Sequence, residues 1–456
     1  MKPQNRSLRS SLIRAGCATS LALALVAGAP LAQAQDGKAI VDALVREGVL
    51  TSAAAERILK EAAQAPAKVP APAEAKAKPP VSELRIAGDA RVRYEVRTGE
   101  LSTGDHQERG RFRYRFRALL SSKLANDWTF GLRLESSTSS RSTMVTMGDD
   151  AGPFAKNSDG VFIGQVYATW TPTPEWTFTA GRMPNPLVTT SMVWDGDINP
   201  EGLAQRYKRR DGKNEFSLTL GQFLYSSSGN QNIYGGTAGA AGTKDLFLTA
   251  WQGGYKRHLE GTTKFFQITP VLYVYFNTDQ RANPAAFNSV FSPTTSAAVN
   301  NLVILEVPFE YNWVAKNGAP LRAFADVAVN FDGKQRAAKF GRPDLDGENM
   351  AYHVGFQYGK AAKPGEWDAR VLYQSIGAFA LDANLVDSDL FDSRTNLRGW
   401  VFGGNYALGS ATQFSFTLAS AQRKNGSIIA SGSGDVGANN ALDKYWLFQT
   451  DLNIKF

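Results

Sequence analysis

Polar and apolar residues alternate strictly along the stretch RGRFRYRFRALL, which runs from Arg109 to Leu120. On a helix this spacing would scatter both kinds of residue around the axis, whereas successive side chains of a strand point to opposite faces. The pattern therefore predicts a strand with one cationic face and one largely aromatic face. Such a strand fits either a soluble sheet with an apolar core face or a membrane barrel whose apolar face meets lipid.

The same period of two recurs along most of the chain. It is clear in LRIAGDARVRYEV, WTFGLRLES, ENMAYHVGFQYG and TQFSFTLAS, and in KYWLFQTDLNIKF, which ends the sequence at Phe456. Counting such runs gives about sixteen strands, an even number that is typical of bacterial outer-membrane barrels.

The connections between these runs alternate in length, and this distinguishes a membrane barrel from a soluble sheet. Short turns such as SKLANDW, RRDGKNE and LGSAT alternate with long polar loops. The long loops lie near residues 136–159, 184–202, 227–242, 278–298, 332–348, 379–394 and 424–443. Membrane barrels have short periplasmic turns and long outer loops. We therefore predict an all-β fold, a transmembrane antiparallel β-barrel of about sixteen strands over residues 83–456, with a short N-terminal helical leader.

The segments that precede the predicted barrel have a different composition. Residues 1–34 combine four basic residues, a short apolar core and an AQA site, which predicts a cleaved signal peptide. Residues 35–64 show helical periodicity and are expected either to self-associate or to form a poorly ordered tail. Residues 65–82 are rich in Pro, Ala and Lys, as in an extended linker.

Composition narrows the expected chemistry. The one cysteine, Cys17, lies in the predicted signal peptide, so neither disulfides nor thiol chemistry is expected after export. Removing the four basic residues of that peptide halves the net charge of +8, and an exported chain rarely meets nucleic acid, so we expect no nucleic-acid partner.

The histidines give no sign of a metal centre or an enzyme. His106, His258 and His353 are too scattered for a metal cluster. A barrel lipase would need its Ser–His pair on the lipid side, whereas His353 falls on the opposite parity of its strand. We therefore expect no enzymatic activity, no cofactor and no metal.

One loop leaves two interpretations open. In DLDGEN, the carboxylates of Asp344, Asp346 and Glu348 could hold Ca²⁺. The alternative is a plain turn, which the same residue types favour.

Two stretches carry a resemblance to a known family. They are RFRYRFRALLSSKLANDWTFGLRLES and TFTAGRMPNPLVTTSMVWDGDINPEGLAQRY, the second running from Thr177 to Tyr207. On these residues the chain resembles the bacterial outer-membrane "putative porin" family, which is related in layout to the phosphate-selective porins of sixteen strands. The resemblance covers essentially the whole mature chain. It implies that the loop after the fifth strand folds into the lumen as a constriction.

The resemblance also implies a site. Asp195, Asp197 and Glu201 are expected on the inserted loop, facing a basic wall across a wet constriction, where opposed charges orient polar solutes. In the other interpretation the arginines of the wall pair with Asp89, Glu95 and Glu135 and merely keep the lumen solvated. The predicted pore-lining residues are Arg91, Arg93, Arg111, Arg113, Arg115, Arg117 and Arg133.

The expected function is that of an outer-membrane porin, a water-filled channel for passive diffusion of small hydrophilic solutes and ions with a weak preference for anions. Its expected partners are outer-membrane lipid, the transported solutes, two further copies in a homotrimer, and the barrel assembly machinery. The aromatic last strand ending at Phe456 resembles the assembly signal of outer-membrane proteins. The alternative is a non-conducting outer-membrane adhesin or structural barrel protein.

Overall fold

The computed structural model describes residues 45, 51–54, 56, 57, 60, 81–137, 142–149, 160–226, 245–260, 263–276, 302–339, 341–428, 435–437 and 442–456. The chain divides into two units, Met1–Lys76 and Ala77–Phe456. In the first unit, the described residues 45, 52–54, 56, 57 and 60 are helical. The predicted signal peptide and most of the predicted linker lie outside the described residues.

The second unit is built from β-strands that the alternating runs predict. Nineteen strand segments are present in the described residues. The first ten are β1 (Val81–Leu101), β2 (His106–Leu124), β3 (Trp128–Glu135), β4 (Val145–Thr146), β5 (Phe162–Trp170), β6 (Trp176–Arg182), β7 (Glu201–Asp211), β8 (Asn214–Ser226), β9 (Leu246–Glu260) and β10 (Lys264–Ile268). The others are β11 (Val271–Phe276), β12 (Val303–Glu306), β13 (Phe309–Val314), β14 (Pro320–Asn330), β15 (Met350–Gly359), β16 (Trp367–Ile376), β17 (Leu397–Ala407), β18 (Thr412–Arg423) and β19 (Leu442–Lys455).

These segments form sixteen spanning strands among the described residues. β10 and β11 are two halves of one strand, interrupted at Pro270, and β12 and β13 are likewise interrupted at Pro308. Proline has no N–H to give to a sheet ladder, so it breaks a strand that lies between two neighbours. β4 is a two-residue segment that pairs with β2 beyond the end of β3. The predicted fold class is confirmed.

The sheet closes on itself because β1 pairs antiparallel with both β2 and β19. At the seam, Phe456 exchanges two backbone hydrogen bonds with Gly88, at 2.8 and 3.1 Å, and its ring stacks on Phe116 with the ring centroids 6.1 Å apart. A Cβ atom at Gly88 would lie 2.4 Å from the Phe456 ring. The last residue of the chain therefore packs into the closing seam, where only glycine leaves room for it.

The two faces of the sheet differ as the alternation predicts. On β2, Phe112 is 57% exposed on the outer face, whereas Arg113 is 7% exposed on the inner face. Trp128, Trp170 and Trp176 lie on the outer face near the short turns, and the rings of the first two stack at 6.1 Å. An apolar outer band with aromatic residues near its rim is the surface that a bilayer requires.

Two long connections fold into the barrel. Loop 3 (residues 183–200) follows β6, the fifth spanning strand, and loop 7 (residues 377–396) follows β16. Their buried apolar side chains pack with inward residues of the wall. The main hydrophobic core therefore lies inside the end of the barrel that carries the long loops, which we call the loop end. The core residues from the two loops are Leu187, Met192, Val193, Trp194, Ala380, Leu381, Leu385 and Val386.

The inward course of loop 7 corrects the sequence prediction, which placed residues 379–394 among the outer loops. Phe379 and Leu381 are completely buried, as is Phe391. Burying such side chains is favourable by roughly 1.5–3 kcal/mol each, so a loop that carries several of them moves out of water. The sequence prediction used loop length and neglected this apolar content.

Helical structure within the barrel unit is short. Loop 6 (residues 331–349) carries α1 (Gly333–Lys339) and a 3₁₀ helix at Pro343–Leu345, and loop 7 carries a second 3₁₀ turn at Phe391–Ser393. None of the helices that the structure describes is long and apolar enough to cross a membrane.

The assignment of faces is testable at Val92, an outward residue of β1 that is 47% exposed. We expect Val92→Arg to destabilise the folded barrel by roughly 2–4 kcal/mol if the position lies near the bilayer midplane, because a lipid-facing guanidinium must be desolvated. Urea unfolding in lipid vesicles measures the loss. Val92→Leu is the matched control and should change little. Equal stability of the arginine variant and the wild type would contradict the assignment.

Candidate functional site

Arginines of β1 and β2 cover one sector of the inner face. Antiparallel register places Arg91 opposite Arg115 and Arg93 opposite Arg113. Like charges directly opposite one another in a sheet are unfavourable. Carboxylates must therefore compensate them. This set, which we call the arginine ladder, consists of Arg91, Arg93, Arg97, Arg111, Arg113, Arg115 and Arg117.

Glu95 lies within the ladder and is fully buried. Its carboxylate accepts hydrogen bonds from Arg111 Nε at 2.6 Å and from Gln449 Nε2 at 3.1 Å. Guanidinium nitrogens of Arg97 and Arg113 lie 3.5 Å from its Oε1. A single buried carboxylate on β1 thus offsets charge on several arginines at once.

Further carboxylates reach the ladder from distant parts of the chain. Arg93 donates from Nε to Asp451 on β19 at 2.7 Å and from Nη1 to Asp389 of loop 7 at 2.8 Å. Arg97 donates from Nη1 to Asp392 of loop 7 at 2.7 Å. The ladder therefore holds loop 7 against the wall through charge-assisted hydrogen bonds.

Loop 3 meets the same wall nearer the middle of β2. Asp89 pairs with Arg115 at 2.7 Å and with Arg117 at 2.8 Å. Arg117 also donates from Nη1 to Asp197 of loop 3 at 3.3 Å. The sequence left open whether the arginines face the inserted loop or pair within their own strands, and these contacts combine both arrangements.

The other side of loop 3 is fixed to the far wall of the barrel. The hydroxyl of Thr189 donates to Glu306 at 2.7 Å, and the Tyr273 hydroxyl donates to the same carboxyl at 2.7 Å. Gln252 brackets the loop backbone, with its Nε2 donating to the Val188 carbonyl at 2.8 Å and its Oε1 accepting from the Val188 N–H at 2.9 Å. Loop 3 therefore crosses the lumen from the ladder to the opposite wall.

The remaining predicted site residues have separate positions. Arg133 lies on the inner face of β3 and pairs with Glu135 at 2.8 Å. Asp195 faces loop 7 instead of the ladder, since its carboxylate accepts from the Ser388 N–H at 2.9 Å. Glu201 does not lie on the loop. It is the first residue of β7, on the outer parity, and pairs with Arg182 at 3.2 Å.

Loop 7 is the part of the site that sequence reasoning missed. Its backbone contacts loop 3 directly, with the Asp195 N–H donating to the Leu385 carbonyl at 2.6 Å and the Asp387 N–H donating to the Ser191 carbonyl at 3.2 Å. A usable signal was present in LDANLVDSDLFDSR, where acidic and large apolar residues are interleaved. In a solvated loop, large apolar side chains would be exposed to water, which is unfavourable. In a loop that enters a cationic lumen, the apolar side chains can be buried and the acidic side chains can pair with cations.

Backbone strain is concentrated where loop 7 meets Arg97. Phe391, Asp392 and Ser393 have φ angles of 49°, 61° and 56°. Consecutive left-handed residues other than glycine are unfavourable, and surrounding contacts must over-determine them. The Arg97–Asp392 ion pair and the burial of Phe391 supply such contacts.

The packing of loops 3 and 7 shifts the pKa values of three of their aspartates. Burial raises the pKa of Asp195 to about 6, and the neighbouring carboxylates of Asp197 and Asp389 add to the effect. Burial also raises the pKa of Asp387 well above its ordinary value. For Asp389, burial acts in the same direction, but Arg93 and other ladder arginines outweigh it and hold the pKa below the usual range.

The Ca²⁺ interpretation of loop 6 finds no support in the contacts. Asp344 pairs with Arg342 at 2.8 Å, and Glu348 pairs with Lys424 at 2.6 Å. Their carboxylates are thus engaged by cations, and Pro343–Leu345 forms the 3₁₀ turn. No group of side chains suited to a metal ion is present in the described ranges.

Comparison with known proteins decides the family. A family model described as "Putative porin" matches residues 99–304 and 297–456, which together make up most of the chain. The chain belongs to this porin family. The resemblance seen in the sequence is thereby confirmed, and the protein is an outer-membrane porin-type barrel.

Solved structures give more distant likenesses. A Rhodopseudomonas blastica porin triple mutant aligns at 10% identity and a TM-score of 0.40, over 82% of this chain and 100% of that chain. The high-pH structure of Pseudomonas putida OprB aligns at 9% identity and a TM-score of 0.48, over 82% of this chain and 94% of that chain. No protein with a curated function matches the sequence.

The contact between loops 3 and 7 should depend on pH. A carboxyl whose pKa is raised by docking stabilises the docked state when protonated, so Asp195 and Asp387 favour the contact below the ordinary aspartate pKa. Asp195 loses this contribution as the pH rises through about 6, and Asp387 loses its own as the pH rises through its raised pKa. Asp389 stays ionised throughout this range, because its pKa is lowered. We expect loop 7 amides, after correction for intrinsic exchange, to be better protected at about pH 5 than at about pH 8.

Asp195→Asn is the test variant for this dependence, because its amide cannot ionise. We expect it to remove the part of the pH dependence that Asp195 contributes, while Asp387 retains the rest. Equal protection of the wild-type loop at both pH values, or better protection at the higher one, would contradict the account.

Proposed function

We propose that the protein is a porin that allows passive diffusion of small hydrophilic solutes and ions through a water-filled lumen, with a weak preference for anions. One observation carries the anion preference. Three cations on the inner face, Arg206, Lys256 and Arg370, take part in none of the ion pairs found among the described residues. Lys256 lies opposite Glu215, but that carboxylate pairs with Lys208 at 2.9 Å. An unpaired fixed charge attracts mobile ions of opposite sign.

The sequence suggested instead that the arginines of the first three strands would provide the anion preference. The ladder arginines are offset by carboxylates on β1, on β19 and on loops 3 and 7, so their net field in the lumen is small. Arg206 lies on β7, Lys256 on β9 and Arg370 on β16. All three lie in the half of the barrel nearer the short turns, which we call the turn end. We therefore assign the preference to the turn end of the lumen.

The reversal potential across a salt gradient in a planar bilayer tests this function. We expect anion selectivity at low salt that fades at high salt, because the Debye length falls from about 30 Å at 0.01 M to about 3 Å at 1 M. Changing Arg206, Lys256 and Arg370 together to Gln should abolish the preference. Cation selectivity of the wild-type pore at every salt concentration would refute the proposal.

A matched control removes the same charge from outside the lumen. Lys316, Lys360 and Lys363 lie in or beside the short turns, so changing all three to Gln should alter the selectivity far less. A folded wild-type protein that conducts no current would instead favour the alternative of a non-conducting adhesin or structural barrel.

We also propose a homotrimer in the outer membrane, assembled through lipid-facing walls. Support comes from the porin family, whose members are commonly trimeric. The helical leader (35–64) would add contacts between subunits, and Phe456 would be read by the barrel assembly machinery. Mass photometry of detergent-purified protein should show three copies. A monomer at all concentrations, with the barrel folded, would count against the trimer.

A further inference from the structure

A recess in the inner wall lies beside loop 3, away from the arginine ladder. It has a volume of about 290 Å³. The Val188–Ser191 segment of loop 3 borders it, together with inward residues of β13, β14, β15 and β16. Its lining includes the side chains of Glu310, Arg322, Phe324, His353, Arg370 and Leu372. This volume is close to the lower end of the range for small-molecule sites.

An aromatic surface forms one part of this recess. The ring of Phe324 lies across Gly355, where a Cβ atom would approach Phe324 Cζ to 2.3 Å. The Arg322 guanidinium stacks over the ring, 4.7 Å from its centroid, and the His353 ring meets it edge-on at 5.6 Å. Glycine at position 355 thus allows a phenylalanine to lie flat against a wall that otherwise faces water.

A cation is held beside this surface in a similar way. Arg370 folds over Gly403, where an added Cβ atom would lie 3.0 Å from Arg370 Nε. Arg322 pairs with Glu310 at 2.7 Å, so their charges cancel. Arg370 has no such carboxylate partner among the described residues. The recess therefore combines an aromatic and aliphatic surface with one uncompensated guanidinium.

His353 provides a further unsatisfied group. It is 4% exposed and lines the recess. Gln374 lies directly opposite it on β16 and can satisfy at most one of its two ring nitrogens. Buried polar groups are rarely left unpaired, because an unsatisfied group keeps the full penalty of its desolvation. A ligand oxygen in the recess would satisfy one of these nitrogens.

We infer that this recess binds small organic monoanions with a flat or compact apolar body, such as aromatic carboxylates, as they pass through the lumen. The inference rests on the proposed function, since such a ligand would be a transported solute. The apolar body would lie against Phe324 and Leu372. The carboxylate would pair with Arg370, whose planar guanidinium can donate two parallel hydrogen bonds.

Calorimetric titration of the full-length, detergent-purified protein with four probes tests the site. Benzoate carries both the ring and the charge, benzamide lacks the charge, acetate lacks the ring, and glucose is a neutral polar solute. We expect benzoate to bind at least about tenfold more tightly than the other three, because only it uses both halves of the recess.

Variants separate the two contributions. Arg370→Gln should remove the preference for benzoate over benzamide, and Phe324→Ala should remove the preference for benzoate over acetate. Phe324→Leu, which keeps an apolar side chain, should retain part of the latter. Arg398→Gln is the matched control, because Arg398 is exposed on the outer parity of β17 and should leave binding unchanged. Heat-modifiable gel migration confirms that each variant is folded.

Several outcomes would overturn the inference: benzoate binding no tighter than acetate, equal benzoate affinity in wild type and Arg370→Gln, or tighter binding of glucose. Conductance measured on the same preparations separates this result from the proposed function. A conducting pore without benzoate binding refutes the recess alone. Benzoate binding by a barrel that carries no current refutes the diffusion function and leaves a ligand-binding barrel.

Discussion

The register of β1 and β2 places Arg91 opposite Arg115 and Arg93 opposite Arg113 inside a closed barrel, and the rest of the interior depends on compensating that charge. The two β1 carboxylates, Asp89 and Glu95, cannot neutralise all the arginines of the ladder. Asp197 of loop 3 and Asp389 and Asp392 of loop 7 supply further carboxylates. The two loops are therefore drawn into the lumen, where their apolar side chains form a core that a simple water-filled barrel would lack.

Because carboxylates compensate the ladder, the charge that acts on solutes in the proposed function lies elsewhere in the lumen. A paired guanidinium contributes little to the field that a passing ion meets, so in the proposed function the most arginine-rich wall does not set the ion selectivity. Unpaired cations on other strands, including Arg370, dominate the proposed selectivity. The same reasoning divides the lumen into a structured loop end, held by ion pairs, and a turn end where some cations, such as Arg370, have no ion-pair partner among the described residues.

The sequence predicted what depends on local periodicity. Alternation with a period of two assigns Phe112 outward and Arg113 inward, whereas the insertion of the loop after the fifth spanning strand was implied by the family resemblance. The partners of Arg93 and Arg97 could not be predicted, because Asp451 and Asp392 lie 358 and 295 residues away along the chain and meet them only after closure and loop insertion. Glu201 was misassigned because the loop ends one residue before it and strand parity turns it outward.

If the ladder holds loop 7 inside the barrel, a thiol placed in that loop should be shielded from reagents in the solvent. The chain has one native cysteine, Cys17, in the predicted signal peptide, so Leu385→Cys would give the mature protein a single thiol at a buried position of loop 7. We expect a membrane-impermeant reagent to label this thiol far more slowly than Thr103→Cys in an exposed outer turn, and we expect the added changes Arg93→Gln and Arg97→Gln to accelerate the labelling. Labelling of Leu385→Cys as fast as Thr103→Cys, with the ladder intact, would contradict this expectation.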